Sequence, residues 1–113
     1  MISNYSFGTI TVDGREYQSD LIVYPDHVDD KWWRAQGHHC CLADLANVWQ
    51  HHPSVLVIGT GDPGLMRVDD DLRDYCAGNK IELTVLPTAQ AVDSFNQHLA
   101  SGATVIAALH LTC

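Results

Sequence analysis

The stretch "VLVIGTGDPG", residues 55–64, sets three glycines, Gly59, Gly61 and Gly64, in a G-x-G-x-x-G spacing behind an apolar run. After a strand, that spacing can cradle a phosphate: glycines let backbone N–H groups come close, and the following helix points its positive end at the anion. The remainder of a dinucleotide fingerprint does not follow. Asp69, Asp70 and Asp71 gather where the next helix should begin, and Asp62 lies within the loop, so the local charge repels phosphate. Glu82 stands near the interval expected of a ribose-binding acid, but it opens its strand instead of closing it. Two readings stay open. The glycines provide a sharp, closely packed exit from a buried strand, or the backbone of Gly59, Thr60 and Gly61 holds a small anion or metabolite with the Thr60 hydroxyl as a further donor.

A second candidate lies in "PDHVDDKWWRAQG", residues 25–37. Arg34 follows two tryptophans in a chain with six Lys and Arg against fourteen Asp and Glu, a net charge of −8. In so acidic a protein its neighbourhood is where an anionic ligand or an acidic patch of a partner would dock; a solvated loop arginine is the alternative. Trp32, Trp33 and Arg34 are also the side-chain types that anchor protein–protein contacts, which makes this loop the expected interface for a protein partner. A pocket between the Gly59–Gly61 loop and a segment bearing Arg34 and His38 would serve a small anionic metabolite instead.

"GHHCCL", residues 37–42, invites a zinc or thiol reading. Neighbouring residues rarely turn two donors to one ion, and no C-x-x-C pair supplies the other ligands, so neither a metal site nor a cofactor is expected. A thiol nucleophile needs a base or a helix N-terminus to ionise it, and Cys40 and Cys41 do precede a helical pattern beside His38 and His39; the alternative is a small buried apolar residue. Cys40, Cys41, Cys76 and Cys113 are expected as reduced thiols. His51 and His52 would complement a helix C-terminus, and His110, between Leu109 and Leu111, reads as a hydrogen-bonded core histidine.

At 113 residues, 46% of them hydrophobic, the chain can bury one core and is read as a single domain spanning 1–113, too short for a complete two-half dehydrogenase. Its acidity excludes nucleic acid as an expected partner. No apolar run reaches the roughly 18 residues of a membrane span, and the N-terminal residues carry no signal-peptide pattern, so membrane insertion is not expected and a cytoplasmic location is.

The elements that must position these residues follow from periodicity. Phe7–Val12 and Glu16–Tyr24 read as strands joined at Asp13-Gly14, a hairpin that would make the sheet mixed. Leu42, Leu45, Ala46 and Trp49 mark a helical stripe ending before Pro53, and Ser54–Ile58 and Ile81–Leu86 read as buried strands. A helix capped near Asp69 stops at Gly78. The last helix begins with Thr88 as its cap and ends before Gly102, and Ala103–Thr112 forms the final strand. The alternation predicts an α/β fold in three layers, with a mixed, mostly parallel central sheet and an N-terminal β-hairpin.

Several stretches in this order, "YSFGTITVDGREY", "WWRAQGH" with Asp44-Leu45, "VLVIGTG", "TAQAVDSFN" and "AALHLTC", resemble the small Mth-like domain family of unknown function. Its relatives include an adipogenesis-associated Mth-domain protein and a mitochondrial complex I assembly factor. The resemblance spans nearly the whole chain. It implies a three-layer α/β fold whose last strand runs antiparallel beside the others, no assigned catalysis, and recurrent features at Gly59, Thr60 and Gly61 and at Trp33, Arg34, Gly37 and His38. By analogy it implies a binding role in respiratory complex I assembly, with a homo-oligomer compatible with that role. Without a mitochondrial targeting extension, a bacterial-type cytoplasmic member is expected.

Overall fold

The computed structural model describes all 113 residues. Strands β1 (Ile2–Ser6), β2 (Thr9–Val12) and β3 (Arg15–Tyr17) form an antiparallel meander. Asp13 and Gly14 both take positive φ, 49° and 83°, the geometry of the tight turn that their sequence demands. The expected hairpin is present, but it carries an extra strand, β1, and forms a sheet of its own. The run read as Glu16–Tyr24 breaks at the polar residues before Leu21. Its second half, β4 (Leu21–Val23), enters the central sheet, so β4 and not the hairpin makes that sheet mixed.

The central sheet has the order β5 (Val28–Asp29), β4, β10 (Val105–His110), β7 (Val55–Thr60), β9 (Glu82–Leu86). β10, β7 and β9 are parallel, while β4 pairs antiparallel with both β10 and β5. The last strand is therefore antiparallel only to β4 and parallel to β7, a correction to the arrangement the resemblance implied. Each parallel crossover is made by a helix: α1 (Asp70–Gly78) between β7 and β9, α2 (Thr88–Ala100) between β9 and β10. α1 starts just after Asp69 and α2 is followed by Gly102 at φ 86°. A short parallel pair, β6 (His39–Cys40) with β8 (Arg67–Val68), lies outside the main sheet.

The stripe from Leu42 to Trp49 forms two 3-10 helices, Leu42–Leu45 and Val48–His51, instead of one α-helix. The Asp44 carboxylate accepts the Cys41 N–H at 2.9 Å and the Ala35 N–H at 3.2 Å, which caps the first of these helices and ties it to the loop ahead of it.

Because side chains alternate along strands, β7 and β10 divide their residues between two cores. Val55, Val57, Val105, Ala107 and Leu109 pack with Ile10, Val12, Val92 and Phe95 on the face covered by α2 and the meander. Leu56, Ile58, Ile106 and Ala108 pack with Trp32, Cys40, Leu45, Val48 and Leu72 on the other. Three layers result, and the long loop before β6 belongs to the second core through Trp32. No helix is long and apolar enough to cross a membrane.

Candidate functional site

β7 and β10 end side by side, with Leu109 level with Gly59 and His110 level with Thr60. Ligands of open α/β sheets gather at such carboxyl ends. Here the space is filled by the protein's own groups. A Cβ on Gly59 would stand 2.8 Å from Thr88 Oγ1 and 2.9 Å from Leu109 Cδ2; one on Gly61, at φ 97°, would overlap the Thr112 carbonyl oxygen and lie 2.8 Å from His110 Cδ2. The glycines are there for close approach.

The loop's polar groups are spent in the same way. Gly61 N–H donates to Thr88 Oγ1 at 2.8 Å, the Thr88 hydroxyl donates to the His110 carbonyl at 2.6 Å, and Thr88 N–H donates to the Gly61 carbonyl at 3.1 Å. Asp62 N–H donates to the Thr112 carbonyl at 3.1 Å. Thr88, read from sequence as a helix cap, is instead the first residue of α2 with Pro87 at the cap position, and its hydroxyl clamps the loop to the end of β10. A short strand, β8, separates the loop from α1, so the free N–H groups of that helix do not face the glycines. The dinucleotide geometry is absent, and Thr60 is buried.

Beside His110 lies the charged part of the site. Asp20, just ahead of β4, accepts the Leu111 N–H at 2.8 Å through Oδ1; its Oδ2 lies 2.8 Å from His110 Nδ1 and 2.9 Å from Arg34 Nη2. Nδ1 also lies 3.2 Å from Arg34 Nη2, but it can serve only one role, and the closer carboxylate takes the proton: we assign Nδ1–H as donor to Asp20. Arg34 is not the solvated loop arginine of the alternative reading, since its side chain is 5% exposed. Arg34 Nε and Nη2 donate to the Gly37 carbonyl at 3.3 and 2.9 Å, and the guanidinium carbon lies 4.6 Å from the Trp32 ring centroid. Trp32 in turn donates its Nε1–H to the Asp44 carbonyl at 3.0 Å. His38 presents its ring edge-on to His110 at 6.3 Å between centroids.

Burial alone would raise the Asp20 carboxyl. The hydrogen bonds from His110 and Leu111, with Arg34 behind them, outweigh it and hold the group below the usual carboxylate range. Two buried polar atoms have no hydrogen-bond partner, Arg34 Nη1 and His110 Nε2. Arg34 and the glycine loop thus share one neighbourhood, with the His110 ring filling the space between them.

The remaining candidates separate. Trp33 is 79% exposed and Trp32 only 7%. Trp33, Lys31 and Asp29 border a groove of about 220 Å³ floored by Ile22, Tyr24 and Leu45. The residues of "GHHCCL" point apart: His39 Nδ1 lies 3.0 Å from Asp69 Oδ1, Cys41 Sγ lies 3.3 Å from Asp44 Oδ2, and Cys40 is in the core. Burial, with Asp44 adding, pushes the Cys40 thiol up to about 12, and burial with the Asp44 hydrogen bond also raises Cys41. Neither is an activated nucleophile. All four cysteines are free thiols. Asp20 was missed from sequence. Its only signal is a carboxylate set directly ahead of the apolar run in "SDLIV".

Solved structures share this architecture. A conserved hypothetical protein of Pyrococcus horikoshii OT3 matches with a TM-score of 0.83 and 22% identity over 100% of this chain and 99% of its own. MT938 matches with a TM-score of 0.79 and 27% identity over 100% and 98%. A Mth938-like domain protein of Bordetella pertussis matches with a TM-score of 0.61 and 20% identity over 97% and 84%. Residues 2–110 match the model of a protein family of unknown function, and the chain accordingly belongs to that DUF498/DUF598 family, whose fold it shares with the Mth938-like domains.

Proposed function

We propose that residues 1–113 act as one non-catalytic binding domain that engages another protein chain through Trp33. The observation that carries this reading is the contrast between adjacent side chains. Trp32 and Arg34 are locked into the structure, while Trp33 stands 79% exposed between them at the edge of an apolar-floored groove. An indole carried on backbone that is fixed on both sides by buried neighbours loses little backbone entropy on docking, which suits it as an anchor. With a net charge of −8, the domain selects a partner with a basic rim around an apolar socket. A cytoplasmic setting and, by analogy, a role in assembling a respiratory complex belong to the same proposal. Affinity capture with Trp33→Ala beside the parent tests it. Partners identified with the parent should be lost from the variant; retention of every one removes Trp33 as the interface.

A second reading is favoured by one observation, the unpartnered Arg34 Nη1 and His110 Nε2. With the loop amides of Gly61 and Asp62 already used, the N–H groups of Arg34 Nη1, beside His38, are what a small anionic metabolite would meet, while His110 Nε2, an acceptor once Nδ1–H is given to Asp20, faces a hydroxyl of that ligand and not its charge. A thermal-shift screen of small anions tests it, because a ligand bound to the folded state raises the melting temperature. No shift with any anion retires it.

A further inference from the structure

Asp26, His27 and His51 form a cluster that the site above does not use. Asp26 and His27 lie in the turn between β4 and β5, closed by Tyr24 N–H donating to the His27 carbonyl at 2.9 Å; His51 ends the second 3-10 helix. The Tyr24 ring gathers them. His27 stacks on it at 4.5 Å with planes 9° apart, His51 packs on it at 4.5 Å, and the two imidazole centroids are 5.8 Å apart. One donor atom from each of Asp26, His27 and His51 lies within 4.8 Å of the other two. A tetrahedral ion with bonds of about 2.0–2.2 Å needs its ligands about 3.5 Å apart, so a rotation of partly exposed side chains closes the set.

A second feature fits the same chemistry. His51 Nδ1 lies 3.3 Å from the Asn47 carbonyl, which fixes Nδ1–H as the donor and leaves the Nε2 lone pair free. A backbone carbonyl behind the imidazole is how metal-ligating histidines are commonly oriented. His27 Nδ1 lies 2.7 Å from Asp26 Oδ1, which keeps those two side chains turned toward each other.

We infer that Asp26, His27 and His51 bind a divalent transition ion of borderline softness, of which Zn²⁺ is the representative, through two imidazoles and one carboxylate with the remaining position open to solvent. Two nitrogen donors select against Mg²⁺ and Ca²⁺, which take oxygen. Tyr24 and Asn47 also line the groove beside Trp33, so the ion would sit at the end of that groove.

Calorimetric titration of the metal-free chain with ZnCl2 tests it. The parent should take up one ion per chain with no comparable uptake of Mg²⁺. His27→Ala and His51→Ala should each weaken Zn²⁺ binding by at least about tenfold. His98→Ala, on α2 and paired with Glu82 of β9, should leave it unchanged. Imidazole nitrogen NMR of the unsubstituted chain gives a readout free of folding effects, with Zn²⁺ shifting His27 and His51 alone. No uptake by the parent, an isotherm retained in both alanine variants, or shifts centred on His38 and His39 would overturn the assignment.

Discussion

The guanidinium of Arg34 and the carboxylate of Asp20 meet 2.9 Å apart, with 5% and 20% of their side chains exposed. The pair joins the loop before β6 to the start of β4, and the Asp20 carboxylate ties it to the end of β10 through His110 and Leu111. Removing one member of a buried pair leaves the other charge uncompensated. Asp20→Ala should therefore destabilise the fold by about 3–5 kcal/mol, measured by urea unfolding, since Arg34, His110 Nδ1 and Leu111 N–H all lose their acceptor. A change below about 1 kcal/mol would show that the network contributes little.

The same carboxyl makes stability depend on acid. Its folded pKa lies below the unfolded value of about 3.9, so its contribution is complete above that value and is lost as pH falls through the lower folded one. Melting temperatures of the parent and Asp20→Asn should differ most near neutrality and converge below about pH 4. A gap that stays constant down to acid pH would assign the effect of the substitution to packing and not to ionisation.

Gly61 and Gly78 provide an opposed pair. A methyl on Gly61 meets the Thr112 backbone and the His110 ring at φ 97°, whereas a methyl on Gly78, at the end of α1, meets nothing within 4 Å. Gly61→Ala should cost several kcal/mol or prevent folding, roughly at the upper end of single substitutions. Gly78→Ala should be neutral or stabilise by up to about 1 kcal/mol. Equal melting temperatures for the two variants would contradict the tight packing at Gly61.

Reactivity separates the thiols. Cys40 is buried with its thiol pushed up to about 12, and Cys113 is exposed. In native protein at pH 8, a disulfide reagent should modify Cys113 first, and Cys40 only as the chain opens. Rapid native labelling of Cys40, followed by peptide mapping, would reverse that order.

Strands with an unbroken apolar run, such as Val55–Thr60, and helices with both ends marked, such as Asp70–Gly78, could be read directly, because their signals are local. The division of "REYQSDLIV" between two sheets was not readable. Periodicity shows that Leu21 and Val23 are buried, but not that Asp20 turns inward to meet Arg34 and His110 from distant parts of the chain. The carboxylate's partners are set by tertiary contact alone. The burial of Arg34 was not readable for the same reason: Trp32 and Gly37 stand near it in sequence, but the carboxylate it meets comes from Asp20 at the start of β4. The glycine spacing was informative in the opposite sense, since the acids around it pointed to chain reversal and close packing, as the Thr88 clamp shows.

Trp32 and Trp33 are adjacent and chemically identical, and their substitutions should have unlike effects. Trp32 fills the core beneath the loop, donates to the Asp44 carbonyl and lies under the Arg34 guanidinium. Trp32→Ala removes all three contacts and should cost about 3–5 kcal/mol in denaturant unfolding. Trp33→Ala removes a side chain with few neighbours and should change stability by no more than about 0.5 kcal/mol. Acrylamide should quench the Trp33 indole efficiently and Trp32 little, a difference readable in the two single-alanine variants. If Trp33→Ala unfolds the protein as readily as Trp32→Ala, its indole is part of the scaffold, and its exposure no longer argues for a docking role.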